Sequence, residues 1–278
     1  MNIAQALAAA EKLGVARLDA QLLLLHAVGR REDQRAWLLA HDDHAITAVQ
    51  CASFMSLCER RCTGEPVAYL VGHKEFYGMR LAVDRRVLVP RPDTETLVEW
   101  ALQTLGAHRR LGWNPSVIDL GTGSGAIALA IKHARPDIRV EAVDADVGAL
   151  EVARSNANAL SLDIEFRQAS WLEGARRYDL VVSNPPYVAE ADEHLAHLSH
   201  EPLSALASGP DGLDAICEIA RQAPDHLNPG GWLLLEHGWD QAAAVRKLLA
   251  GHGFADVQSH RDLSGIERCS GGRFPELG

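Results

Sequence analysis

Val117-Ile118-Asp119-Leu120-Gly121-Thr122-Gly123-Ser124-Gly125-Ala126-Ile127-Ala128-Leu129-Ala130-Ile131 runs from an apolar strand through a glycine-rich turn into an apolar helix. Glycines in such a turn let the backbone bend sharply and let a ligand approach it closely. Downstream the same texture repeats. Candidate strands are Val117–Leu120, Arg139–Val143, Asp163–Arg167, Asp179–Ser183, Trp232–Glu236 and Ala255–Ser259, with candidate helices at Ala126–Ala134, Val147–Ala159, Asp214–Ala223 and Gln241–Ala250. Strands alternating with helices predict an α/β domain whose mostly parallel sheet is covered on both faces.

The turn alone admits two cofactor classes. Gly121, Gly123 and Ala126 satisfy the G-x-G-x-x-A pattern of dinucleotide binding. Asp119 and the glycine at 125 fit the acidic-x-G-x-G-x-G loop of S-adenosylmethionine enzymes better. An acidic residue at the loop suits a cationic sulfonium and ammonium, and it would repel a pyrophosphate. Asp144 ends the next strand, 23 residues after Gly121, where a carboxylate can accept hydrogen bonds from ribose hydroxyls.

Upstream, residues 1–72 read as a small helical domain. Apolar positions recur at three and four spacing through Ile3, Leu7, Ala10 and Leu13, and then through Leu22, Leu25 and Val28. Trp37 to Leu39 closes a short third helix, and Ala45 to Arg61 forms a longer fourth. Gly64-Glu65-Pro66 breaks that helix. Residues 73–92 then read as a β-hairpin linker, with Phe76-Tyr77-Gly78, Leu81 to Asp84 and Val87-Leu88-Val89 as its extended pieces. Residues 93–278 read as the α/β domain. Its first helix is capped by Asp93 or Thr94 and runs to about Leu105.

Composition narrows the partners. The 278 residues carry a net charge of −10, with 47% hydrophobic content. That describes a soluble globular chain and disfavours one whose affinity comes mainly from nucleic-acid phosphates. The charge is uneven: residues 1–75 carry −1 and residues 76–278 carry −9. The N-terminus reads as an amphipathic helix and not as a signal peptide. No apolar run approaches the ~20 residues that span a bilayer. Five scattered cysteines fit reduced thiols in a cytoplasmic protein.

The strand Tyr178-Asp179-Leu180-Val181-Val182-Ser183 ends in Asn184-Pro185-Pro186-Tyr187. Open α/β sheets bind ligands outside the carboxyl ends of their strands, so topology delivers this tetrapeptide to the crevice. Two prolines stiffen the backbone and remove two N–H donors. The Asn184 side-chain oxygen and the Pro185 carbonyl are then acceptors for the two hydrogens of an –NH₂ group. Tyr187 offers a flat wall to a planar group.

DLGTGSG, Asp144 and NPPY together resemble S-adenosylmethionine-dependent amino-methyltransferases, a class that includes DNA adenine methylases and protein glutamine methylases. The helical first domain, GEPVAYLVGHKEFYGMRLAVDRRVLVPRPDTETLVE, SNPPYV, HEPLSALASGPDGL and LLLEHGWDQ extend the resemblance over nearly the whole chain, to the HemK/PrmC-type release-factor glutamine methyltransferases. The resemblance implies a Rossmann-like catalytic domain behind an N-terminal substrate-recognition domain. It implies methyl transfer to the side-chain amide nitrogen (N5) of the glutamine in the GGQ motif of class I peptide chain release factors. Carried over by position, it assigns cofactor binding to Gly121, Thr122, Gly123, Ser124, Gly125, Asp144, Trp171 and Asn184. It assigns substrate binding to Asn184, Pro185, Pro186 and Tyr187, with Asn184, Pro185 and Tyr187 catalytic. The family more often has glycine where this chain has Ala169, which bears on the local turn. Two alternatives remain: glutamine methylation of a ribosomal protein, and adenine N6-methylation of nucleic acid. Against the second stand the acidic catalytic region and the absence of a basic recognition domain.

Direct in-line transfer is expected, carried by positioning and electrostatics with no Ser/His/Asp or Cys/His arrangement. No metal is expected. His194, His197 and His200, spaced by three beside Asp192 and Glu193, read as solvated side chains, and the i,i+4 pair Cys58 and Cys62 lacks a second pair. Arg85, Arg86 and Arg91 form a local basic cluster that could meet a partner protein.

Overall fold

The computed structural model describes residues 1–107 and 114–276. They fall into two compact units, Met1–His73 with His197–His200, and Lys74–Ala196 with Glu201–Gly278.

The first unit holds five helices: α1 (Ile3–Lys12), α2 (Arg17–Ala27), α3 (Arg35–Ala40), α4 (Ala48–Cys62) and α5 (Val67–Val71). Helix α4 starts three residues later than its periodicity suggests. Thr47 caps it by accepting from Gln50 N while the Gln50 side chain reaches back to Thr47 N, a reciprocal cap that outweighs continued apolar spacing. Helix α5 follows a proline, and its one turn ends at Gly72, φ +81°. Leu23, Leu24, Leu25, Phe54 and Cys58 form the wholly buried centre of this unit.

The next elements are β1 (His73–Phe76) and β2 (Met79–Ala82), joined by Tyr77 and Gly78 at φ +50° and +74°. Two successive positive φ values are the hairpin turn whose twist matches that of its strands. The expected extension through Val87–Val89 is not a strand. Those residues are tied to a side chain from a distant segment, described below. A short 3₁₀ turn, Pro92–Thr94, then leads into α6 (Glu95–Ala107).

The remaining elements are β3 (Ser116–Leu120), α7 (Ala126–Ala134), β4 (Arg139–Asp144), α8 (Val147–Leu160), β5 (Glu165–Gln168), β6 (Tyr178–Ser183), α9 (Asp214–His226), β7 (Leu227–Glu236), α10 (Ala242–Gly251), β8 (Ala255–Arg261) and β9 (Glu267–Arg273). The seven-stranded sheet has the order β5-β4-β3-β6-β7-β9-β8. Its first five strands are parallel, and β9 lies antiparallel between β7 and β8. This is the mostly parallel α/β sheet that the alternation predicts.

Residues along the central strands alternate between two cores, as a period of two requires. Leu180, Val182 and Leu234 join Leu97, Leu129 and Ile131 on one face. Val181, Leu233 and Leu235 join Ile216, Ile219 and Val245 on the other. The chain runs outward from β3 to β5 and then returns to place β6 on the other side of β3. The carboxyl ends of β3 and β6 therefore flank the point where strand order reverses, the natural position for a ligand crevice. No helix among the described residues is long and apolar enough to cross a membrane.

Candidate active site

A cleft of about 240 Å³ opens at that reversal point. Its floor is Gly121, Thr122, Gly123 and Ser124, followed by Ala126 and Ile127 at the start of α7. Asp144 to Asp146, Ala149 and Ala169 to Trp171 form one wall. Asn184, Pro186 and Thr94 form another, and Arg86 to Leu88, Pro90, Pro202, Ser204 and Ala205 close the rim.

The glycine loop holds its shape for local reasons. Gly121, Gly123 and Gly125 have φ of +66°, +55° and +84°, a region that L side chains rarely adopt. At Gly125 a Cβ would also lie 2.9 Å from Leu129 Cδ1 and 3.3 Å from Ala153 Cβ. The Thr122 amide donates to Val143 O at 2.9 Å, anchoring the loop to β4.

Asp119 differs from its expected role as an acidic face for a cationic ligand. It is fully buried and absent from the cleft lining. Its Oδ2 accepts from Thr122 Oγ1 at 2.7 Å and from Ala128 N at 3.2 Å, while Oδ1 has no partner. Burial pushes its carboxyl up to about 7. Asp119 thus braces the loop from behind.

Asp144 does line the cleft. Its Oδ2 accepts from Gly123 N and its Oδ1 from Asp146 N, each at 2.9 Å. A carboxylate has about four lone-pair sites, so these two bonds orient it and leave capacity for hydroxyl donors. Burial is the main influence on its carboxyl and raises it above the ordinary range. Trp171 adopts φ +49°, a strained conformation for a bulky residue of the kind that collects at binding sites. Its ring lies over the loop, with Cζ3 at 3.4 Å from where a Cβ on Gly121 would stand. With Ala169 in place of the family's glycine, the turn still forms, Ala169 N donating to Asp144 O at 3.1 Å.

At the end of β6, Ser183 Oγ donates to Leu120 O at 2.7 Å and locks β6 to β3. Asn184 follows. Its Nδ2 donates to Thr94 Oγ1 at 3.2 Å, and its Oδ1 is buried with no hydrogen-bond partner. An unpaired buried carbonyl oxygen costs about 1–3 kcal/mol, and here that open acceptor belongs to a residue of the cleft wall. Pro186 lines the cleft beside it, whereas Pro185 is buried and Tyr187 is not part of the lining. The Tyr187 hydroxyl donates instead to Glu236 Oε1, at 3.4 Å, and burial beside that carboxylate holds the phenol well above its usual range. Gln241 Nε2 donates to Tyr187 O at 3.0 Å.

Three contributors lie in segments that carry the family resemblance but have no site role in the sequence reading. Thr94, 3% exposed, lies against Asn184. Glu236, 1% exposed, has an unpaired Oε2. Burial pushes its carboxyl up to about 7, against the Thr94 hydroxyl, Arg268 and the Tyr187 hydroxyl, which favour the ionised form. Glu201 reaches across 112 positions to accept from Val89 N at 3.0 Å and from Arg91 Nη2 at 2.5 Å. That pairing takes the Val89 amide that a strand ladder would use, while Val87 and Leu88 line the cleft rim. It also breaks up the expected basic cluster: Arg91 is committed to Glu201, and Arg86 to Asp84 and Glu151.

Of the three histidines read as solvated, His200 is instead half-buried, with Nε2 2.9 Å from Thr63 O. His194 is exposed and bonded to Asp192, and Cys58 is core with its thiol pushed up to about 11 by burial. The His197 side chain lies outside what the structure describes. No group of three or more metal-ligating side chains forms among the described residues.

Residues 100–238 match the methyltransferase small domain, and residues 2–72 match the PrmC N-terminal domain. A release factor glutamine methyltransferase of Xylella fastidiosa is 49% identical over 97% of this chain and 98% of its own length. One from Bordetella pertussis is 48% identical, over 93% of this chain and 95% of its own. This chain belongs to the release factor glutamine methyltransferase family. A methyltransferase from Pyrococcus furiosus superposes with a TM-score of 0.54 at 18% identity, covering 79% of this chain and 98% of that one; the likeness is one of fold. Within a release factor glutamine methyltransferase, the cleft fits an adenosyl cofactor. Its floor is the glycine loop, its wall carries a carboxylate and an indole face, and an unpaired acceptor stands beside it.

Proposed function

We propose that this protein moves the methyl group of S-adenosylmethionine to the side-chain amide nitrogen of the glutamine in the GGQ motif of class I peptide chain release factors. The observation that carries the reading is Asn184. It stands in the cleft wall at the end of β6 with its carbonyl oxygen buried and unpaired. The names of relatives nearly half identical over almost the full chain support the substrate.

Gly121 to Gly125, Asp144, Trp171 and Asn184 would hold the cofactor, which when bound supplies an electrophilic methyl group. The chain's own residues must supply position and charge. A primary amide is a poor nucleophile because its lone pair is delocalised. Accepting its two hydrogens at Asn184 Oδ1 and at the Pro185 carbonyl favours a nitrogen with a localised lone pair. The same acceptors stabilise the positive charge that develops there. Two consecutive prolines hold those acceptors still, so little reorganisation accompanies the reaction. No metal is assigned a role. The N-terminal helical unit is the proposed recognition domain for the release factor, and the cytoplasm, where release factors act, is the proposed location.

Incubation with methyl-labelled S-adenosylmethionine, a class I release factor, ribosomal proteins and nucleic acid tests this. Label at the GGQ glutamine is the expected result. Label in nucleic acid or a ribosomal protein, with none in the release factor, would overturn it.

A further inference from the structure

An amide side chain has two faces, and the chemistry proposed above needs one of them. If Asn184 turned its –NH₂ toward the substrate amide, donor would meet donor. The structure contains a device that decides the matter. Asn184 Nδ2 donates to Thr94 Oγ1 at 3.2 Å. A threonine hydroxyl has one proton and two lone pairs, so it can accept from Asn184 and still donate elsewhere. Against Thr94 stands the Glu236 carboxylate, 1% exposed. An ionised carboxylate only accepts. In that ionised form, which the hydroxyls of Thr94 and Tyr187 and the Arg268 guanidinium favour against burial, it takes the Thr94 proton and leaves the oxygen lone pair for Asn184. The chain of polarity runs from carboxylate to hydroxyl to amide, and its free end is Asn184 Oδ1, the buried atom without a partner.

We propose that Glu236, acting through Thr94, is a positioning residue that fixes the orientation of the Asn184 amide and so makes position 184 an acceptor for the substrate –NH₂. This rests on the functional reading above. Glu236 sits at the last position of β7, and Thr94 at the last position of the 3₁₀ turn before α6. Neither lies in the NPPY tetrapeptide. The Tyr187 hydroxyl also donates to this carboxylate, at Oε1. The relay transfers no group and consumes nothing; it sets a direction.

Three variants test it, each assayed for methyl transfer to a class I release factor, for S-adenosylmethionine affinity by calorimetry, and for a cooperative thermal melt. Thr94→Val keeps the shape and removes the hydroxyl. Glu236→Gln keeps the shape and lets an –NH₂ face Thr94, which reverses the polarity. Thr94→Ser restores the hydroxyl. We expect Thr94→Val and Glu236→Gln to lower kcat at least tenfold, with cofactor Kd and release-factor KM within about threefold of wild type. Thr94→Ser should recover most of the loss. Retention of kcat within twofold in Thr94→Val overturns the relay. So does a Thr94→Ser as impaired as Thr94→Val, or a loss of cofactor affinity that accounts for the loss of transfer. Should Thr94→Val fail to melt cooperatively, the same criteria apply to Glu236→Gln. Absence of transfer by the wild-type protein overturns the functional reading and the relay with it, whereas normal transfer that survives the variants overturns the relay alone.

Discussion

Glu201→Ala should loosen the rim of the cleft and destabilise the catalytic unit by about 1–4 kcal/mol. The side chain is 2% exposed and serves two donors, Val89 N at 3.0 Å and Arg91 Nη2 at 2.5 Å. Truncation leaves the Val89 N–H without a partner in a buried place, which costs about 1–3 kcal/mol. The Arg91 pairing adds less than about 1 kcal/mol, because the Arg91 side chain is 38% exposed and water screens it. For a domain of this size each kcal/mol moves the melting midpoint by roughly 2–4 °C, so a fall of about 2–16 °C is expected. Val87, Leu88 and Pro90 line the cleft, so cofactor affinity should weaken as well. Glu201→Gln should lie between the two. Its carbonyl can serve one donor, while its –NH₂ must face the other. Differential scanning calorimetry gives the first number and isothermal titration with S-adenosylmethionine the second. A midpoint within about 1 °C of wild type, with unchanged cofactor affinity, would show that Glu201 does not hold the rim and would refute the reasoning.

Asn184→Ala should reduce methyl transfer by about 10²–10³-fold, the usual cost of losing one preorganised polar partner of the transition state, while cofactor affinity changes only severalfold; near-normal turnover would refute its role. Gly125→Ala should destabilise the fold by about 1–3 kcal/mol, because φ is +84° and the new Cβ would stand 2.9 Å from Leu129 Cδ1; an unchanged denaturation midpoint counts against the loop geometry. Asp119 should make stability fall as pH rises. The unfolded chain releases this proton near 3.8 and the folded chain keeps it to about 7, so between those values the folded state binds more protons and loses ground with each step upward. At about 1.4 kcal/mol per pH unit the effect is on the order of 4 kcal/mol. Asp119→Asn should flatten that part of the stability curve; a parallel curve would remove Asp119 as the cause.

The catalytic half was legible because its elements carry local signals. An apolar strand, a glycine turn and an apolar helix follow one another from Val117 to Ile131, and β3 and α7 occupy those positions. What escaped lacks such signals. Strand β9 is Glu-Arg-Cys-Ser-Gly-Gly-Arg, without alternation. Its glycines answer to neighbours far away in sequence: a Cβ on Gly271 would stand 2.6 Å from Leu233 O and 2.9 Å from Trp100. Val87–Val89 has the residue types of a strand, yet Glu201 takes the Val89 amide and no second strand pairs with it.

The site divides in the same way. NPPY and the glycine loop could be read as a crevice because strand order sends the carboxyl ends of parallel strands to one edge, and the residue types named the chemistry. Sequence by itself thus determined the fold class, the family and the tetrapeptide. Only the tertiary structure decided which of those residues face the cleft: Asn184 and Pro186 line it, while Tyr187 turns to Glu236 and Asp119 turns into the core. It also brought Thr94 and Glu236 behind Asn184 from positions 90 before it and 52 after it. The physical reason is range. Strand and helix periodicity are properties of neighbouring residues. The burial of a carboxylate, or the direction of an amide, depends on what the rest of the chain packs against it.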